Sequence, residues 1–401
     1  MNFQIFLIFA ISSCWLPLQA ADWPNWRGPN HDGISLETEW QADPDDDPEI
    51  IWEAEVGIGF GTVSVANGRV FATGNEDDVD TIWCFDALTG EMIWKHSFDE
   101  PLDPKYYEGG TSGTPTVDGD VVFSLSRRGK LFSLDAKSGE VFWQQDVRES
   151  TSSALPDWGF AGSPLIHGQQ LVLNVGGSGL ALDKSNGERV WFSDNGKAGY
   201  STPYPYQKDG IEFAIFSSSR DWVARSLDGG EEAWRFKWLT KYGVNAADPI
   251  VVGDRVFVSS GYKKGCGLLD ISAGAAAEVY TNKEMQSQMN PSVLIDGFVY
   301  GCSGDQDSRE STLKCLEMAT GETKWTYPGV GAGSVTAANG YLIVLSARGV
   351  LMTGEASPDG FEPRLETQVL GGKCWSVPVL ADGLVYCRNA KGDLVCVDLR
   401  K

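Results

Sequence analysis

The stretch DALTGEMIW, residues 86–94, recurs along the chain and decides its fold. A close second copy is DAKSGEVFW at 135–143, and altered copies are DKSNGERVW at 183–191, SLDGGEEAW at 226–234 and EMATGETKW at 317–325. Short turns also recur between β-rich runs at intervals of 42 to 51 residues, centred on Gly68, Gly119, Gly168, Gly210, Gly253, Gly297, Gly340 and Gly383. This period is the length of a four-stranded propeller blade, so the sequence predicts a β-propeller.

Each repeat predicts four short strands joined by tight turns. Within 113–143, GTPTV, VVFSL and KLFSLD are the first three strands, and the outer strand ends on Trp143. The Asx-Gly, Thr-Gly and Ser-Gly pairs between strands supply the positive φ angles that tight hairpins need. Two repeats depart from this pattern. The fifth has Val279 or Tyr280 near the tryptophan position, and the seventh has no aromatic residue in its outer strand, PRLETQVL at 363–370.

The eighth repeat stops at DLRK, after its third strand, and its fourth strand is predicted at the other end of the chain. The stretch PEIIWEAEV, residues 48–56, carries the Glu-to-Trp spacing of the repeat in Glu49 and Trp52. We expect residues 49–56 to pair with LVCVDL at 394–399 and to close the ring, which leaves no open blade at the seam. The predicted fold is therefore all-β: an eight-bladed β-propeller of four-stranded antiparallel blades over residues 49–401.

The tryptophans of the outer strands are predicted to wedge between adjacent blades. Each can bury about 200 Å², which corresponds to an upper bound of roughly 5 kcal/mol of hydrophobic stabilisation. These blade-docking residues are Trp52, Trp94, Trp143, Trp191, Trp234 and Trp325.

The first twenty residues predict an export signal. Residues 3–18 are an apolar run followed by Gln19-Ala20-Ala21, which suits cleavage after Ala20. A second alternative stays open, because Ile11-Ser12-Ser13-Cys14 resembles a lipobox that would leave a lipidated Cys14. The run is short for a membrane-spanning helix, and no other segment could cross a bilayer. We expect an exported protein of the periplasm or cell envelope.

The net charge of the protein argues against a nucleic-acid partner. The chain has 55 acidic and 32 basic residues, a formal charge of −23. A surface this acidic repels phosphate backbones and anionic lipid.

The cysteines, histidines and acidic loops carry weak signals for chemistry. Two residues before the acidic end of the third strand, the repeats place Cys84, Ser133, Ala181, Ser226, Leu268, Cys315, Thr353 and Cys396, a column that favours small side chains. Disulfides between Cys302 and Cys315, and between Cys387 and Cys396, remain open. No cysteine metal site is expected, because no Cys-x-x-Cys spacing exists. The acidic loops 74–80 and 303–310 lack EF-hand spacing and are expected to be solvated loops, with Ca²⁺ binding by their clustered carboxylates as the alternative. Three histidines and no Gly-x-Ser-x-Gly elbow give no hydrolytic triad.

The best functional candidate follows from blade topology. The loops between second and third strands lie on the same side as the connections between blades, and we call this side the loop face. Its loops contribute Arg128, Arg220, Trp222, Arg348 and Arg388, and its connections contribute Trp158, Phe160, Tyr200, Tyr242, Asn245, Gln288, Asn290 and Trp375. Basic and aromatic groups of this kind are enriched at protein interfaces and at sugar or anion sites. The alternative is that the arginines form ion pairs at the rim and the asparagines shape turns.

The D-x-x-[TS]-G-x-x-x-W repeat resembles the PQQ-type tryptophan-docking repeat of quinoprotein dehydrogenases, which the non-enzymatic propeller of the BamB family shares. The stretch WPNWRGPNHDGIS, residues 23–35, is similar to the opening of many exported propellers of this type. The resemblance implies that residues 21–48 form a strap on the propeller, anchored by Trp23, Trp26 and Pro29.

The resemblance also implies what a quinoprotein enzyme would need: a vicinal Cys-Cys disulfide, calcium ligands from Glu, Asn and Asp, a Trp floor and a catalytic Asp. No two cysteines are adjacent here, and no Cys-x-x-Cys-His haem motif is present. We therefore expect a monomeric, non-catalytic scaffold without cofactor that binds a protein or peptide of the cell envelope, with a sugar or anionic ligand as a further option. The alternative is a PQQ-dependent periplasmic dehydrogenase, using PQQ and calcium, or a carbohydrate-directed enzyme.

Overall fold

Eight antiparallel sheets of four strands form the blades of a propeller in the computed structural model, which describes residues 22–305 and 310–401. Residues 1–20, where the sequence predicts an export signal and the alternative lipidation at Cys14, lie outside the described residues. The sequence prediction of an all-β, eight-bladed propeller is confirmed.

The strands follow the repeats in chain order. Before blade one come β1 (Ile34–Ser35) and β2 (Ile50–Glu55). Blades one and two contain β3 (Ser64–Ala66), β4 (Arg69–Glu76), β5 (Val79–Asp86), β6 (Met92–Asp99), β7 (Thr116–Asp118), β8 (Val121–Leu125), β9 (Lys130–Asp135) and β10 (Val141–Asp146). Blades three and four contain β11 (Leu165–His167), β12 (Gln170–Leu173), β13 (Leu180–Asp183), β14 (Arg189–Phe192), β15 (Tyr204–Lys208), β16 (Ile211–Ser217), β17 (Asp221–Ser226) and β18 (Glu232–Lys237).

The second half of the ring repeats this order. Blades five and six contain β19 (Ile250–Val252), β20 (Arg255–Ser260), β21 (Gly265–Asp270), β22 (Ala277–Asn282), β23 (Val293–Ile295), β24 (Phe298–Ser303), β25 (Thr312–Glu317) and β26 (Thr323–Tyr327). Blades seven and eight contain β27 (Ser334–Ala338), β28 (Tyr341–Leu345), β29 (Val350–Glu355), β30 (Leu365–Gln368), β31 (Val379–Ala381), β32 (Leu384–Arg388) and β33 (Asp393–Asp398). One short helix, α1 (Val147–Thr151), follows blade two and is capped by Asp146. Within the described ranges, no helix has the length and apolarity needed to cross a bilayer.

The ring is closed by the N-terminal strand, as the sequence predicts. Strand β2 pairs antiparallel with β33 and becomes the outer strand of blade eight. Trp52 lies opposite Cys396, the position that docking tryptophans occupy in the other blades. The two ends of the chain therefore share one sheet.

The repeat motif couples each blade to the next through its tryptophan. The Nε1 atom of Trp94 donates to the carbonyl of Ala136 in the following blade at 3.0 Å, and Trp52 donates to Ala87 in the same way. A Cβ atom on Gly139, whose φ is +74°, would lie 2.7 Å from the Trp94 ring. The glycine of one repeat is therefore required both for the turn and for contact with the preceding tryptophan.

The aspartate of the motif stabilises the same turn. Oδ1 of Asp86 accepts hydrogen bonds from the backbone N–H groups of Leu88 and Thr89 and from the Thr89 hydroxyl. Asp135 accepts the equivalent bonds, and these hydrogen bonds lower the pKa of its carboxyl. Asp, Thr or Ser, and Gly thus recur together because they build one turn.

The two irregular blades replace the missing tryptophan by different means. In blade five the Tyr280 hydroxyl donates to the carbonyl of Met318 at 2.7 Å, and the Tyr280 ring lies against Gly321. Blade seven is completed from outside its own repeat, because Trp40 of the N-terminal segment is buried beside Leu365 and makes an edge contact with Tyr341. The irregular repeats therefore keep an aromatic wedge.

Trp234 departs from the docking pattern in its hydrogen bond. Its Nε1 donates to the hydroxyl of Tyr206 within the same blade at 2.9 Å, while its ring packs against Leu269 and Ile271 of blade five. Trp191 and Trp143 donate to the carbonyls of Leu227 and Lys184, as in the other blades.

The small-residue column lies directly opposite the docking residues, with one correction. Cys84 pairs with Trp94, and Cys315 pairs with Trp325. In blade four the paired residue is Ala224, not Ser226. The prediction there was wrong by two residues toward the C-terminus, because Ser226 itself occupies the position of the motif aspartate. The N–H of Ser226 donates to the carbonyl of Glu231, just as the N–H of Asp86 donates to the carbonyl of Glu91.

All seven cysteines in the described ranges are buried and free, so neither disulfide is formed. Cys302 pairs with Leu313 and is only a diagonal neighbour of Cys315, at the distance of about 7–8 Å that such positions have. Cys387 and Cys396 occupy opposite faces of their sheet, because Cys387 pairs with Val395 while Cys396 pairs with Tyr386.

The strap crosses the ends of the inner strands that lie far from the loop face. Trp23 is fully buried and its backbone pairs with Val65 of β3, and β1 runs parallel to β27. Glu37 accepts hydrogen bonds from the backbone of Asp382 and Gly383 in blade eight. The strap thereby joins blades seven, eight and one across the seam of the ring.

Candidate functional site

A central funnel of about 650 Å³ opens among the connections of the loop face. Aromatic side chains dominate its lining: Trp26, Phe60, Tyr106, Tyr107, Trp158, Tyr200, Tyr242, Tyr262 and Trp375. Polar neutral residues line the remainder, chiefly Ser112, Ser163, Thr202, Gln288 and Asn290. Its volume falls within the range of about 300–1,000 Å³ that small-molecule sites occupy.

The walls of the funnel are built from aromatic contacts between neighbouring connections. Phe60 stacks on Trp375 with ring centroids 5.4 Å apart and meets Tyr107 edge-on at 5.2 Å. Trp158 and Tyr200 form a second edge contact at 5.9 Å. These connections lead into blades eight, one, two, three and four, so one continuous side of the funnel is aromatic.

Backbone and side-chain bonds link equivalent residues around the axis. The N–H of Thr62 donates to Thr114 Oγ1, that of Thr114 to Ser163 Oγ, and that of Ser163 to Thr202 Oγ1, at 2.9–3.1 Å. The next repeat carries a carboxylate in place of the hydroxyl, since the N–H of Thr202 donates to Asp248 Oδ1 at 2.9 Å.

The strap supplies the floor of the funnel. Trp26 lines the cavity, and its Nε1 donates to Oδ2 of Asp248 at 2.6 Å. Burial raises the pKa of Asp248 to about 6, against the opposing positive charge of Arg27. Arg27 is itself buried below the floor and donates to the carbonyl of Ser292 at 2.8 Å. Asp248 is therefore fully engaged in holding the strap.

The connection into blade six presents amide groups to the funnel, whereas the connections into blades eight and one to five present rings. Asn290 is 9% exposed, and its Nδ2 donates to the carbonyls of Gly333 and Trp375 at 3.1 and 2.8 Å. Both bonds require the nitrogen at that position, because carbonyls only accept. Among the described residues no group donates to Oδ1 of Asn290, which remains an acceptor beside the cavity.

Six of the predicted loop-face residues line the funnel together: Trp158, Tyr200, Tyr242, Gln288, Asn290 and Trp375. Phe60, which is not one of the thirteen candidates, joins them. The remaining candidates divide into buried structural residues and three arginines that are exposed or half-buried.

Four predicted residues are buried and unavailable to a partner: Phe160, Trp222, Asn245 and Arg388. Trp222 was predicted to lie in the loop between second and third strands. It is instead the second residue of β17, where it packs in the core between blades. Asn245 donates to the carbonyls of Ser218 and Trp238, and Phe160 packs with Leu131.

Arg388 also has a structural role. Its guanidinium donates to the carbonyls of Gly61, Thr73 and Gly57, which ties blade eight to blade one. Burial lowers the pKa of Arg388 to about 10. A buried arginine with three carbonyl partners reinforces the seam that β2 closes.

Three predicted arginines, Arg128, Arg220 and Arg348, lie in the loops between second and third strands, as expected. Their guanidinium groups form no ion pair within the described part of the chain, so the rim ion pairs of the alternative interpretation are not present there. Arg127, by contrast, is buried and donates to the Tyr107 hydroxyl at 2.6 Å. Arg220 and Arg348 are exposed and Arg128 is half-buried, so each side chain remains at least partly accessible to a ligand.

Sequence reasoning missed part of the lining. Trp26 was expected only to anchor the strap, and Tyr107, Tyr262 and Asp248 were not singled out. Asp248 carried a usable signal: in Thr114-Pro, Ser163-Pro and Thr202-Pro the residue before proline is a hydroxyl residue, and in Asp248-Pro it is a carboxylate.

The funnel does not supply what a quinone site of the dehydrogenase type requires. No cysteine and no glutamate line it, and its two carboxylates are engaged: Asp248 with Trp26, and Asp157 in an ion pair with Lys197 at 2.8 Å. Within the described residues, no group of three His, Cys, Asp or Glu side chains could hold a metal ion. We therefore assign no step to PQQ or calcium.

The acidic loops and histidines provide no alternative centre in the described ranges. In the first loop Asp80 is buried and accepts hydrogen bonds from Asn75 and Thr111, so it serves packing. Part of the second loop, residues 306–309, lies outside the described residues. Burial lowers the pKa of His31 to about 4, which keeps it neutral.

Comparison with known proteins finds similarity both to BamB proteins and to quinohemoprotein alcohol dehydrogenases. The family model described as outer membrane protein assembly factor BamB matches residues 80–327. No curated protein sequence matches the chain. Among solved structures, BamB from Moraxella catarrhalis superposes with a TM-score of 0.65 at 15% identity, covering 88% of this chain and 99% of that one.

Dehydrogenases superpose equally well. The quinohemoprotein alcohol dehydrogenase ADHIIG from Pseudomonas putida HK5 gives a TM-score of 0.73 at 14% identity, covering 94% of this chain and 80% of its own. The quinohemoprotein alcohol dehydrogenase from Comamonas testosteroni gives 0.69 at 14% identity with the same coverage. Likeness at these identities extends to the fold, and function has to be argued from the site.

Proposed function

The chain belongs to the family of the outer membrane protein assembly factor BamB, and from that membership we propose that it is an exported, non-catalytic scaffold that binds a protein or peptide of the cell envelope through its loop face. The observation that carries the proposal is the rim of that face. Arg128, Arg220 and Arg348 lie in its loops without ion-pair partners in the described residues, on a protein whose net charge is −23.

Exposed aromatic residues accompany these arginines. Tyr106 is 90% exposed and Tyr242 is 48% exposed, both at the mouth of the funnel. Tyr and Arg are the residues that most often dominate binding energy at protein interfaces, and both are accessible here. Unpaired arginines beside tyrosines favour a partner segment that carries carboxylates, because guanidinium groups bind carboxylates in bidentate geometry.

Capture from envelope extract tests the proposal. Immobilised wild-type protein should retain a partner that the Arg128→Ala/Arg220→Ala/Arg348→Ala variant retains weakly, and retention should fall as salt rises, because exposed charges are screened. The matched control, Lys95→Ala/Arg189→Ala/Lys324→Ala, removes the same charge from exposed positions on outer strands and should retain the partner as wild type does. Equal retention by all three proteins would refute the loop face as the binding surface.

The dehydrogenase alternative has its own test. Purified protein mixed with PQQ and Ca²⁺ should pass through gel filtration without the quinone absorbance, since the funnel lacks the ligands described above. Co-migration of the quinone together with dye-linked oxidation of an alcohol or sugar would instead establish the alternative.

A further inference from the structure

We propose that the central funnel is a binding site for a neutral oligosaccharide, separate from the protein-binding rim. The inference rests on three properties of the lining. One side of the funnel is aromatic, the side across from it carries amide groups, and the two aspartates of the lining have opposite charges beside them within the protein. It goes beyond the scaffold function and does not depend on it.

The aromatic side can accept the faces of sugar rings. Phe60, Tyr107, Trp158 and Trp375 present rings from four adjacent connections. Pyranose rings carry C–H bonds on one face, and the negative face of an aromatic ring attracts such weakly positive hydrogens. Trp158 is only half-buried, so its ring is accessible to a ligand in the funnel.

The amide side lies across the funnel from this wall. In a ring of eight blades the connection into blade six lies opposite the connection into blade two, so Asn290 and Gln288 face the side that carries Tyr107. The unused Oδ1 of Asn290 can accept a hydrogen bond from a sugar hydroxyl. A sugar ring has an apolar face and a polar edge, which matches a site with one aromatic and one amide side.

The charge of the lining selects a neutral ligand. Three charged residues line the funnel, and two have an opposite charge within the protein: Asp157 pairs with Lys197, and Asp248 interacts with the positive charge of Arg27. The third, Lys105, lies at the exposed mouth and donates to the carbonyl of Asp157 at 3.2 Å. A charged ligand that passes Lys105 at the mouth would find no free counter-ion among the other lining residues and would lose hydration that nothing replaces.

A purely apolar peptide side chain fits the funnel less well than a sugar does. It could contact the rings, but it would cover Oδ1 of Asn290 without donating to it. Leaving a buried acceptor unpaired costs about 1–3 kcal/mol. A ligand with hydroxyl groups avoids that cost.

Affinity measurements with defined glycans test the proposal. The probes are cellotetraose, xylotetraose and chitotetraose, compared with the anionic oligogalacturonate, at millimolar concentration by saturation-transfer NMR and calorimetry. We expect at least one neutral probe to bind, with no dependence on salt and with transfer strongest to the ring C–H protons.

Variants locate the site. Trp158→Ala and Asn290→Ala, each checked by circular dichroism and thermal melting, should weaken binding of the neutral probe at least about tenfold, equivalent to about 1.4 kcal/mol. Trp83→Ala is the matched control, since Trp83 is also a half-buried tryptophan whose Nε1 donates to a backbone carbonyl, that of Val56, and it is not among the residues that line the funnel. It should bind as wild type does, as should the triple arginine variant of the rim.

Several outcomes would overturn the proposal. These are binding of no glycan, binding of the anionic probe alone with loss at high salt, or neutral binding that Trp158→Ala leaves unchanged. Loss of glycan binding with intact partner capture would refute the funnel site only, and the reverse would refute the scaffold function only, so the two failures are distinguishable.

Discussion

Trp52 should hold the propeller closed, and its removal should weaken a blade whose other three strands lie more than 300 residues away in sequence. The Trp52 side chain is 7% exposed and packs against Phe85 and Tyr386. Burying about 200 Å² of its surface is worth at most about 5 kcal/mol. Trp-to-Ala changes in cores cost about 3–5 kcal/mol, and the lost hydrogen bond to Ala87 lies within that total. We expect Trp52→Ala to lower the free energy of unfolding at the seam by about 4 kcal/mol.

Hydrogen exchange followed by mass spectrometry resolves where this loss falls. Peptides from β33 and β2 should exchange about a thousandfold faster in Trp52→Ala, while peptides from blades three to five keep their protection. Trp191→Ala is the control, because Trp191 docks blade three onto blade four in the same way, through its bond to Leu227, and its removal should leave β2 and β33 protected. If protection in β33 were unchanged, or if all blades lost protection equally, the view of Trp52 as the closure residue would be refuted.

Three further predictions concern single side chains. Tyr280→Phe should lower the free energy of unfolding, measured in urea, by about 1 kcal/mol, because it removes the hydrogen bond to Met318. The control is Tyr341→Phe, which should leave that free energy almost unchanged, since the Tyr341 hydroxyl has no hydrogen bond in the described residues. Equal losses in the two variants would contradict the docking role of Tyr280. Because the pKa of Asp248 is raised to about 6, above its unfolded value of about 3.9, the folded state binds more protons between these values, and this carboxyl makes stability fall as pH rises from about 4 to 6. Asp248→Asn should flatten that slope in urea midpoints measured across this range, and parallel curves would exclude the effect. All seven described cysteines are buried, and burial raises the pKa of Cys266 and Cys315 to about 11. A thiol reagent should therefore leave these seven cysteines unmodified in the native protein and modify all of them in denaturant. Modification of fewer than seven in denaturant would reveal a disulfide.

The candidate site could be predicted from the sequence only in part. Blade topology correctly placed Trp158, Tyr200 and Trp375 on connections that meet at the axis, because every connection follows the same strand order. It could not separate funnel-lining residues from buried ones. Trp222 and Asn245 lie two and three residues from the exposed positions Arg220 and Tyr242, and a single step along a strand reverses the side to which a residue points.

The sequence by itself determined the number of blades, the closure by residues 49–56 and the docking of the tryptophans. These features depend on local turn chemistry and on a repeated spacing, both of which can be recognised in a linear chain. Only the tertiary structure decided what the strap does, because its contacts join residues more than 200 positions apart. It brings Trp26 to Asp248 as the floor of the funnel and Trp40 to the seventh blade as the missing wedge. No periodic pattern encodes contacts between a unique segment and a repeat, and therefore the funnel became visible only in the folded protein.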